Sequence, residues 1–231
     1  MKITKKKIML IINKIKKSLV KNRTSFALDG LDKKLKKHIK IRNGFFVEAG
    51  ANNGVKQSNT YYFEKYFGWK GLLIEAIPTL AEECLTNRPN CLVENCALVS
   101  RYYSKTTIDI HYCNLMSIID NEFIKASEHI QAGKKFLSKD ETDYKITVPA
   151  KTLTSVLEKY KIKKIDLLSL DVEGYEVEVL QGINFNIFLP KFLLIEVRDI
   201  NKINEIIGMY YKTKAVLSKN DNYVDILYKR K

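Results

Sequence analysis

The stretch FFVEAGANNGVKQSNTYYFEKYF, residues 45–67, joins an apolar tract of strand length to a segment of helical length. Between them lies a short turn that contains Gly50 and Gly54. A strand, a glycine turn and a helix form the unit on which many α/β sheets bind ligands at the carboxyl ends of their strands. The stretch therefore predicts an α/β fold with a ligand at this turn.

Further apolar runs of strand length follow along the chain, separated by amphipathic segments. Runs that are apolar on both faces indicate a mostly parallel sheet with helices on both sides. Pro78 is predicted to begin one helix, and Thr152 or Thr154 to cap another. Asn220, Asp221 and Asn222 predict a hairpin, so an antiparallel pair should close the sheet. The predicted strands are GLLIEA (71–76), CLVENCALV (91–99), YKITVPAKTL (144–153), IDLLSLDV (165–172) and FLLIEV (192–197).

Residues 100–145 are the least regular part of the sequence. They predict a strand at TTIDIHYC, a loop, and a helix near residues 122–132. Long irregular segments within compact domains are often functional. We therefore expect a single domain over residues 41–231, with an insertion around residues 100–145.

The positive charge is concentrated at the N-terminus. The chain carries a net charge of +14, and residues 1–40 hold fourteen Lys/Arg against Asp29 and Asp32, which leaves about +2 for the rest. A nucleic-acid enzyme usually spreads basic charge over its binding face, so no nucleic-acid partner is expected. Residues 1–40 are predicted to form a basic amphipathic helical arm. The arm could contact an anionic membrane as a peripheral anchor, bind a partner, or be a solvated appendage.

The sequence offers no recognisable metal or disulfide pattern. The cysteines, at 84, 91, 96 and 113, have no metal-site spacing, and the three histidines form no ligand pattern. The apolar run at residues 8–12 is too short for a membrane span or a secretion signal. We therefore expect a cytoplasmic protein, with any membrane contact on the inner face.

The residues around the turn indicate the kind of ligand. Asn52 and Val55 stand where a dinucleotide fingerprint needs glycines, and no Gly-Lys-Ser/Thr follows for a phosphate loop. The turn instead offers N–H groups for a carboxylate, and Glu48 could face an ammonium group. Glu75, at the end of the second strand, could accept both ribose hydroxyls. An amino acid joined to a ribose points to S-adenosylmethionine, although each acid could merely cap a helix.

Several stretches together resemble the FkbM-type family of S-adenosylmethionine-dependent methyltransferases. The resemblance covers about residues 44–198 and rests on FVEAGANNG, SNTYYFEKYFGWKGLLIEAIP, NCALV, KTLTSVLEKYKIKKIDLLSLDVEGYEVEVLQG and LLIEV, in that order. It implies a class I methyltransferase fold: a Rossmann-like, seven-stranded, mostly parallel sheet with an antiparallel last strand. It also implies O-methylation of a hydroxyl on a sugar, a glycan or a secondary-metabolite-like molecule. Ala76 departs from the family's Glu-Pro pattern at the end of the second strand.

The resemblance also assigns the cofactor residues by position. Ser58 lies close to the methionine and ribose side of that site, and Asn95, Cys96 and Ala97 fall where such enzymes hold adenine. Capping or surface exposure is the alternative for Asn59 and Thr60, and an ordinary strand end for residues 95–97. The predicted cofactor residues are Glu48, Gly50, Asn52, Asn53, Gly54, Asn59, Thr60, Glu75, Asn95, Cys96 and Ala97.

Acids at the ends of two later strands are the candidates for catalysis. Asp171 is the first choice for a general base or an acid that orients the acceptor, Glu173 the second and Glu196 the third, with His111 as a further candidate. The same acids could hold Mg²⁺, and Asp171 could simply cap a helix. The alternatives are an RNA or protein methyltransferase, or a non-catalytic membrane-binding or scaffold-binding module with the same fold. The sequence predicts no oligomeric state.

Overall fold

The computed structural model describes residues 24–112, 118–119 and 144–231. A 3-10 turn at Leu28–Gly30 precedes the first helix. The helices are α1 (Leu31–His38), α2 (Tyr61–Phe67), α3 (Pro78–Asn87), α4 (Leu153–Lys159), α5 (Glu176–Gln181) and α6 (Ile200–Ile207). The strands are β1 (Phe45–Ala49), β2 (Lys70–Glu75), β3 (Leu92–Asn95), β4 (Ala97–Leu98), β5 (Thr107–Tyr112), β6 (Ile118–Ile119), β7 (Tyr144–Lys151), β8 (Leu167–Leu170), β9 (Phe192–Val197), β10 (Tyr211–Lys219) and β11 (Val224–Arg230).

Seven strands form the main sheet, in the order β10-β11-β9-β8-β1-β2-β3. Strand β1 pairs in parallel with β2 and β8, and β11 runs antiparallel between β9 and β10. Ala49 is level with Ile74 of β2 and Leu170 of β8, so these three strands end at the same edge. The predicted α/β sheet with an antiparallel last strand is confirmed.

Helices cover both faces of this sheet, as predicted. On one face α1 and α2 pack on Phe46 and Leu194, with Leu35 and Phe63 among the buried side chains. The other face carries a second core, to which α4, α5 and α6 contribute residues such as Val156, Val179 and Ile203. Period-two alternation along β1 places Phe46 and Glu48 towards the first face, and Val47 and Ala49 towards the second.

The local signals at helix ends and turns act as predicted. Gly68 ends α2 with a φ of 69°, and Pro78 is the first residue of α3. Thr152 rather than Thr154 caps α4, because its side chain accepts a hydrogen bond from the Ser155 N–H at 3.1 Å. Residues 220–222 form the hairpin between β10 and β11.

A smaller sheet, in the order β4-β7-β5-β6, lies beyond β3. The stretch CLVENCALV, predicted as one strand, is divided at Cys96 into β3 of the main sheet and β4 of the small sheet. The prediction of one strand was wrong because apolar residues resume directly after Glu94 and Asn95, so hydrophobicity alone does not reveal the bend. The strand predicted at TTIDIHYC is confirmed as β5, whereas the helix predicted near 122–132 lies outside the described residues.

Residues 24–40 belong structurally to the body of the molecule. Leu31, Leu35 and Ile39 recur at helical spacing and are buried in the core beneath α1. Residues 1–23 lie outside the described part of the chain, so the division into an arm and a domain at residue 40 stays a prediction. In the described ranges no helix is both long and apolar enough to cross a membrane.

Candidate active site

The turn after β1 brings the backbone into close contact with β8. Gly50 has a φ of 79°, and a β-carbon placed there would lie 1.8 Å from the carbonyl oxygen of Asp171. The N–H groups of Gly50 and Ala51 both donate to the carbonyl of Ile74, at 3.1 and 3.2 Å. A residue without a side chain is therefore required at position 50, where the turn crosses between two strand ends.

Glu48 lies behind the turn, within a buried polar network. Its carboxylate accepts hydrogen bonds from Ser58 Oγ at 2.9 Å, Asn59 N–H at 2.8 Å and Thr60 Oγ1 at 2.6 Å. The Nη1 atom of Arg88 lies 3.5 Å from the same carboxylate. Glu48 therefore holds the chain that follows the turn and is absent from the residues that line the cavity described below.

Arg88 is the centre of this network and was not predicted from the sequence. Its side chain is completely buried, and Nη1 donates to the carbonyl of Gly54 at 2.9 Å. It also pairs with Glu64 and donates to Thr60 Oγ1 at 3.2 Å. A buried guanidinium with several acceptors fixes geometry strongly. Arg88 thus ties α3 to both ends of the segment 54–60.

The hydrogen bonds of the two asparagines in the turn mainly involve backbone N–H groups. The Asn52 N–H donates to Glu75 Oε2 at 2.8 Å, and the Asn53 side chain accepts from the N–H groups of Val55 and Lys56 at 3.1 and 2.9 Å. The Asn59 amide donates to Ser169 Oγ at 3.3 Å. Asn53 therefore shapes the turn, whereas Asn52 lines the cavity.

Glu75 is buried where β2 ends and lines the cavity. Its two carboxylate oxygens accept hydrogen bonds from the N–H groups of Asn52 and Ile77, at 2.8 and 2.9 Å. Burial raises the pKa of Glu75 to about 7, although these N–H donors favour the charged form. Each oxygen keeps a further lone pair for a hydroxyl donor.

The chain segment at the β3–β4 bend forms the neighbouring wall. The Asn95 side chain donates to the carbonyls of Glu75 and Ala76, at 2.9 and 2.8 Å, so it braces the end of β2. Cys96 and Ala97 line the cavity itself. Burial raises the pKa of the Cys96 thiol to about 12, so it stays neutral and serves as a small apolar surface.

An acidic rim, consisting of Asp171, Glu173 and Glu196, lies at the ends of β8 and β9. Asp171 and Glu173 line the cavity, whereas Glu196 does not. Arg198 Nη2 lies 2.9 Å from Glu173 and 2.8 Å from Glu196. In the described part of the chain the Asp171 side chain has no hydrogen-bond or ion-pair partner. Burial and the charges of Glu196 and Glu173 raise its pKa well above the ordinary value.

Glu176 belongs beside this rim but was not predicted. Its Oε1 accepts from the N–H groups of Val172 and Gly174, at 3.0 and 3.1 Å. Burial raises its pKa to about 7. One carboxylate oxygen from each of Asp171, Glu176 and Glu196 lies within 4.8 Å of the other two. Acidic groups are commonly clustered in this way without a metal ion. A role for Mg²⁺ therefore stays a hypothesis.

His111 lies on β5 beside Ile110, and adjacent strand residues point to opposite faces. Ile110 lines the cavity, so His111 is directed away from it. The predicted residues that do meet at the cavity are Gly50, Asn52, Glu75, Cys96, Ala97, Asp171 and Glu173; those placed around it are Glu48, Asn53, Gly54, Asn59, Thr60, Asn95, Glu196 and His111.

The opposite wall of the cavity is apolar and draws on both sheets. Ile77 and Leu80 come from the start of α3, Leu98 from β4 and Ile110 from β5. Tyr175 completes the lining next to the acidic rim. A planar apolar group could lie against this wall while its polar end reaches Glu75.

Comparison with known proteins identifies the family. A family model described as the methyltransferase FkbM domain matches residues 48–219. The chain belongs to the FkbM methyltransferase family. It is therefore a methyltransferase, and S-adenosylmethionine is the cofactor of the family. None of the curated proteins compared with this FkbM chain matches it significantly.

Solved structures similar to this FkbM methyltransferase share little sequence with it. A TehB-like SAM-dependent methyltransferase from Corynebacterium glutamicum ATCC 13032 Kitasato is 9% identical, with 96% of this chain and 97% of that chain covered and a TM-score of 0.46. Aeropyrum pernix fibrillarin, in complex with natively bound S-adenosyl-L-methionine, is 14% identical, with 90% and 82% covered and a TM-score of 0.45. Likenesses at this level carry no argument about the chain, whose assignment rests on the domain match.

The described residues fit S-adenosylmethionine by their chemistry. Glu75 offers carboxylate oxygens to the ribose hydroxyls, and the apolar wall with Leu80 and Ile110 suits adenine. The turn at Gly50–Asn52 lines the same cavity, but its N–H groups, which were predicted to receive a carboxylate, already donate to Ile74 and Glu75. The individual cofactor contacts stay predictions.

Proposed function

We propose that this FkbM methyltransferase transfers a methyl group from S-adenosylmethionine to a hydroxyl of a sugar, glycan or secondary-metabolite-like acceptor. The observation that carries the proposal is the unpartnered carboxyl of Asp171 on the wall of the cavity, next to the Gly50 turn. Hydroxyl oxygens need a proton acceptor when they are methylated, and a carboxylate within hydrogen-bond reach supplies one.

When bound, S-adenosylmethionine would supply an electrophilic methyl group, and breaking of its C–S bond would leave S-adenosylhomocysteine as the by-product. The residues of the chain orient the two reactants and exclude water, which can account for much of the rate. Asp171 accepts the hydroxyl proton and later releases it to water. Its raised pKa makes it a stronger base once it is ionised, so turnover should rise with pH.

Glu173 and Glu196 suit a different task, because both are already paired with Arg198. Both are proposed to hold Arg198 in place, and Glu173, which lines the cavity, is proposed to accept hydrogen bonds from other hydroxyls of the acceptor. Several carboxylates at one rim favour a polyhydroxylated acceptor, since they would repel the phosphates of RNA. We therefore consider RNA a less favourable acceptor than a sugar.

The deciding experiment is a screen for methyl acceptors with labelled S-adenosylmethionine. Nucleotide sugars, glycan extracts, RNA and protein substrates are offered to the full chain, and we expect label in a carbohydrate. The variant Asp171→Asn should bind the cofactor as the parent does but lose about 10²-fold or more in kcat. The matched control Asp221→Asn changes an exposed hairpin residue and should leave kcat unchanged.

Three results would count against the proposal. Label found in RNA or protein but not in any carbohydrate would replace the acceptor class. An Asp171→Asn enzyme as fast as the parent would dismiss Asp171 as the base. Failure to bind S-adenosylmethionine at all, in the titration that accompanies the screen, would favour the alternative of a non-catalytic binding module.

We further propose a cytoplasmic location, which the free thiols of Cys84, Cys91 and Cys96 support.

A further inference from the structure

We propose that one face of the described part of the molecule docks on an anionic membrane surface. This basic-aromatic face lies outside the cavity and is formed by α1, α2 and the segments next to α1. Its members are Phe26, Leu28, Lys37, Lys40, Arg42, Tyr61 and Lys65.

Three members of the face, Phe26, Tyr61 and Lys65, lie next to one another. The Lys65 ammonium lies 5.0 Å from the ring centroid of Phe26 and 5.5 Å from that of Tyr61, and the two rings are 4.6 Å apart. At the other end of α2, the Arg42 guanidinium lies 5.4 Å from the ring of Phe67. Cations that flank aromatic rings therefore run along α2, beside which α1 packs.

Most of the acidic side chains near this face are turned inward or neutralised. Asp32 is completely buried and accepts from Ser25 Oγ at 2.6 Å and Phe26 N–H at 2.7 Å. Glu64 pairs with the buried guanidinium of Arg88. Asp29 is exposed, but Lys37, Lys40, Arg42 and Lys65 are exposed as well, so the face presents a net positive charge.

The chain enters the described structure at this same face. Residues 1–23 contain nine Lys/Arg and no Asp/Glu, and they lead directly into Thr24 and Phe26. The basic charge of residues 1–23 is thus covalently tethered next to Phe26 of the face. Each Lys or Arg near anionic lipid strengthens binding about fivefold.

Leu28 distinguishes a membrane from a nucleic acid as the occupant. Its side chain is 49% exposed, and it stands two residues after Phe26 in the chain. An apolar side chain gains free energy when it enters the headgroup region of a bilayer, whereas it gains little against a phosphate backbone. Exposed leucine, aromatic rings and lysines together match the chemistry of an interfacial membrane surface.

The test is co-sedimentation of the full chain with phosphatidylcholine vesicles, with and without about one-third phosphatidylglycerol. The face variant Lys37→Gln/Lys40→Gln/Lys65→Gln leaves residues 1–23 unchanged and should lower partitioning to anionic vesicles by about 100-fold. The control variant Lys105→Gln/Lys163→Gln/Lys191→Gln removes the same charge from exposed positions on other elements and should change partitioning less than threefold. Leu28→Asn should weaken binding severalfold at every salt concentration.

Circular dichroism of each variant excludes misfolding as the cause. The proposal is overturned if the face variant partitions like the parent, since residues 1–23 alone would then account for binding. Equal losses in the face and control variants would reduce the effect to net charge. A single-stranded RNA that binds the parent more tightly than anionic vesicles, and that is equally sensitive to the face variant, would replace the membrane by nucleic acid.

Discussion

Replacing Arg88 by methionine should destabilise the protein severely. Methionine keeps the length of the apolar stem but removes the guanidinium, which leaves the buried carboxylate of Glu48 without its cation. Removing one partner from a buried ion pair costs about 3–5 kcal/mol. The lost hydrogen bond to the carbonyl of Gly54 adds about 1 kcal/mol. We therefore expect the free energy of unfolding to fall by about 4–6 kcal/mol, which is most of the stability of an ordinary domain.

Urea denaturation followed by the fluorescence of Trp69 measures this loss. Trp69 is the single tryptophan of the chain and is buried against Phe63, with ring centroids 5.0 Å apart, so its emission reports on the core beneath α2. Arg101→Met is the matched control, because Arg101 is exposed and its loss should cost less than about 0.5 kcal/mol.

A second substitution separates the charge from the packing. In the background of Arg88→Met, Glu48→Gln removes the unpaired buried charge while it keeps an oxygen acceptor for the Asn59 N–H. The double variant should therefore be more stable than Arg88→Met alone. A loss below about 1 kcal/mol for Arg88→Met, or a double variant whose losses simply add, would refute the reasoning.

Three further predictions follow from the turn and the buried acids. Gly50→Ala should lower the free energy of unfolding by about 3 kcal/mol or more, because left-handed backbone strain adds to a contact 1.8 Å from a backbone carbonyl oxygen. In Gly30→Ala the nearest atom is 3.9 Å from the new β-carbon, so thermal unfolding should show only the strain of about 1–2 kcal/mol. Binding of S-adenosylmethionine should tighten as pH rises through about 7, where Glu75 ionises. Isothermal titration calorimetry of Glu75→Gln should show weaker binding without this pH dependence. The titration of the ligand itself is common to both proteins. The pKa of Glu176 is raised from 4.5 to about 7, so its contribution to stability is complete below pH 4.5 and disappears as pH rises through 7. This part of the decline in the free energy of unfolding is on the order of 3 kcal/mol, and urea denaturation of Glu176→Gln should lack it. A parent whose stability is flat over that pH range would contradict the last expectation.

Sequence predicted the features that local rules control. The glycine turn, the helix that ends at Gly68 and the position of Glu75 at a strand end all depend on neighbours within a few residues. These signals are short-range, so a single sequence displays them.

The features that escaped prediction depend on contacts across the chain. Arg88 lies 34 residues beyond Gly54 and ends a helix, and nothing near it in the sequence marks it as the anchor of the turn. Glu48 was expected to face an ammonium group, but the alternation along β1 turns it towards α2 and away from the cavity lining. The cofactor role of Glu48 stays a prediction, with the structure placing it behind the turn.

The division of the chain at Cys96 has a consequence for how this enzyme can diversify. Strand β4 and its partners form a separate hydrogen-bonded unit, and the irregular residues 100–145 begin and end within that unit rather than within the seven-stranded sheet. Substitutions, insertions or deletions between β5 and β7 therefore leave every strand pairing of the larger sheet in register. Because Leu98 and Ile110 nevertheless reach the cavity, such changes can reshape its apolar wall while Glu75 and Asp171 keep their places at the edge of the larger sheet.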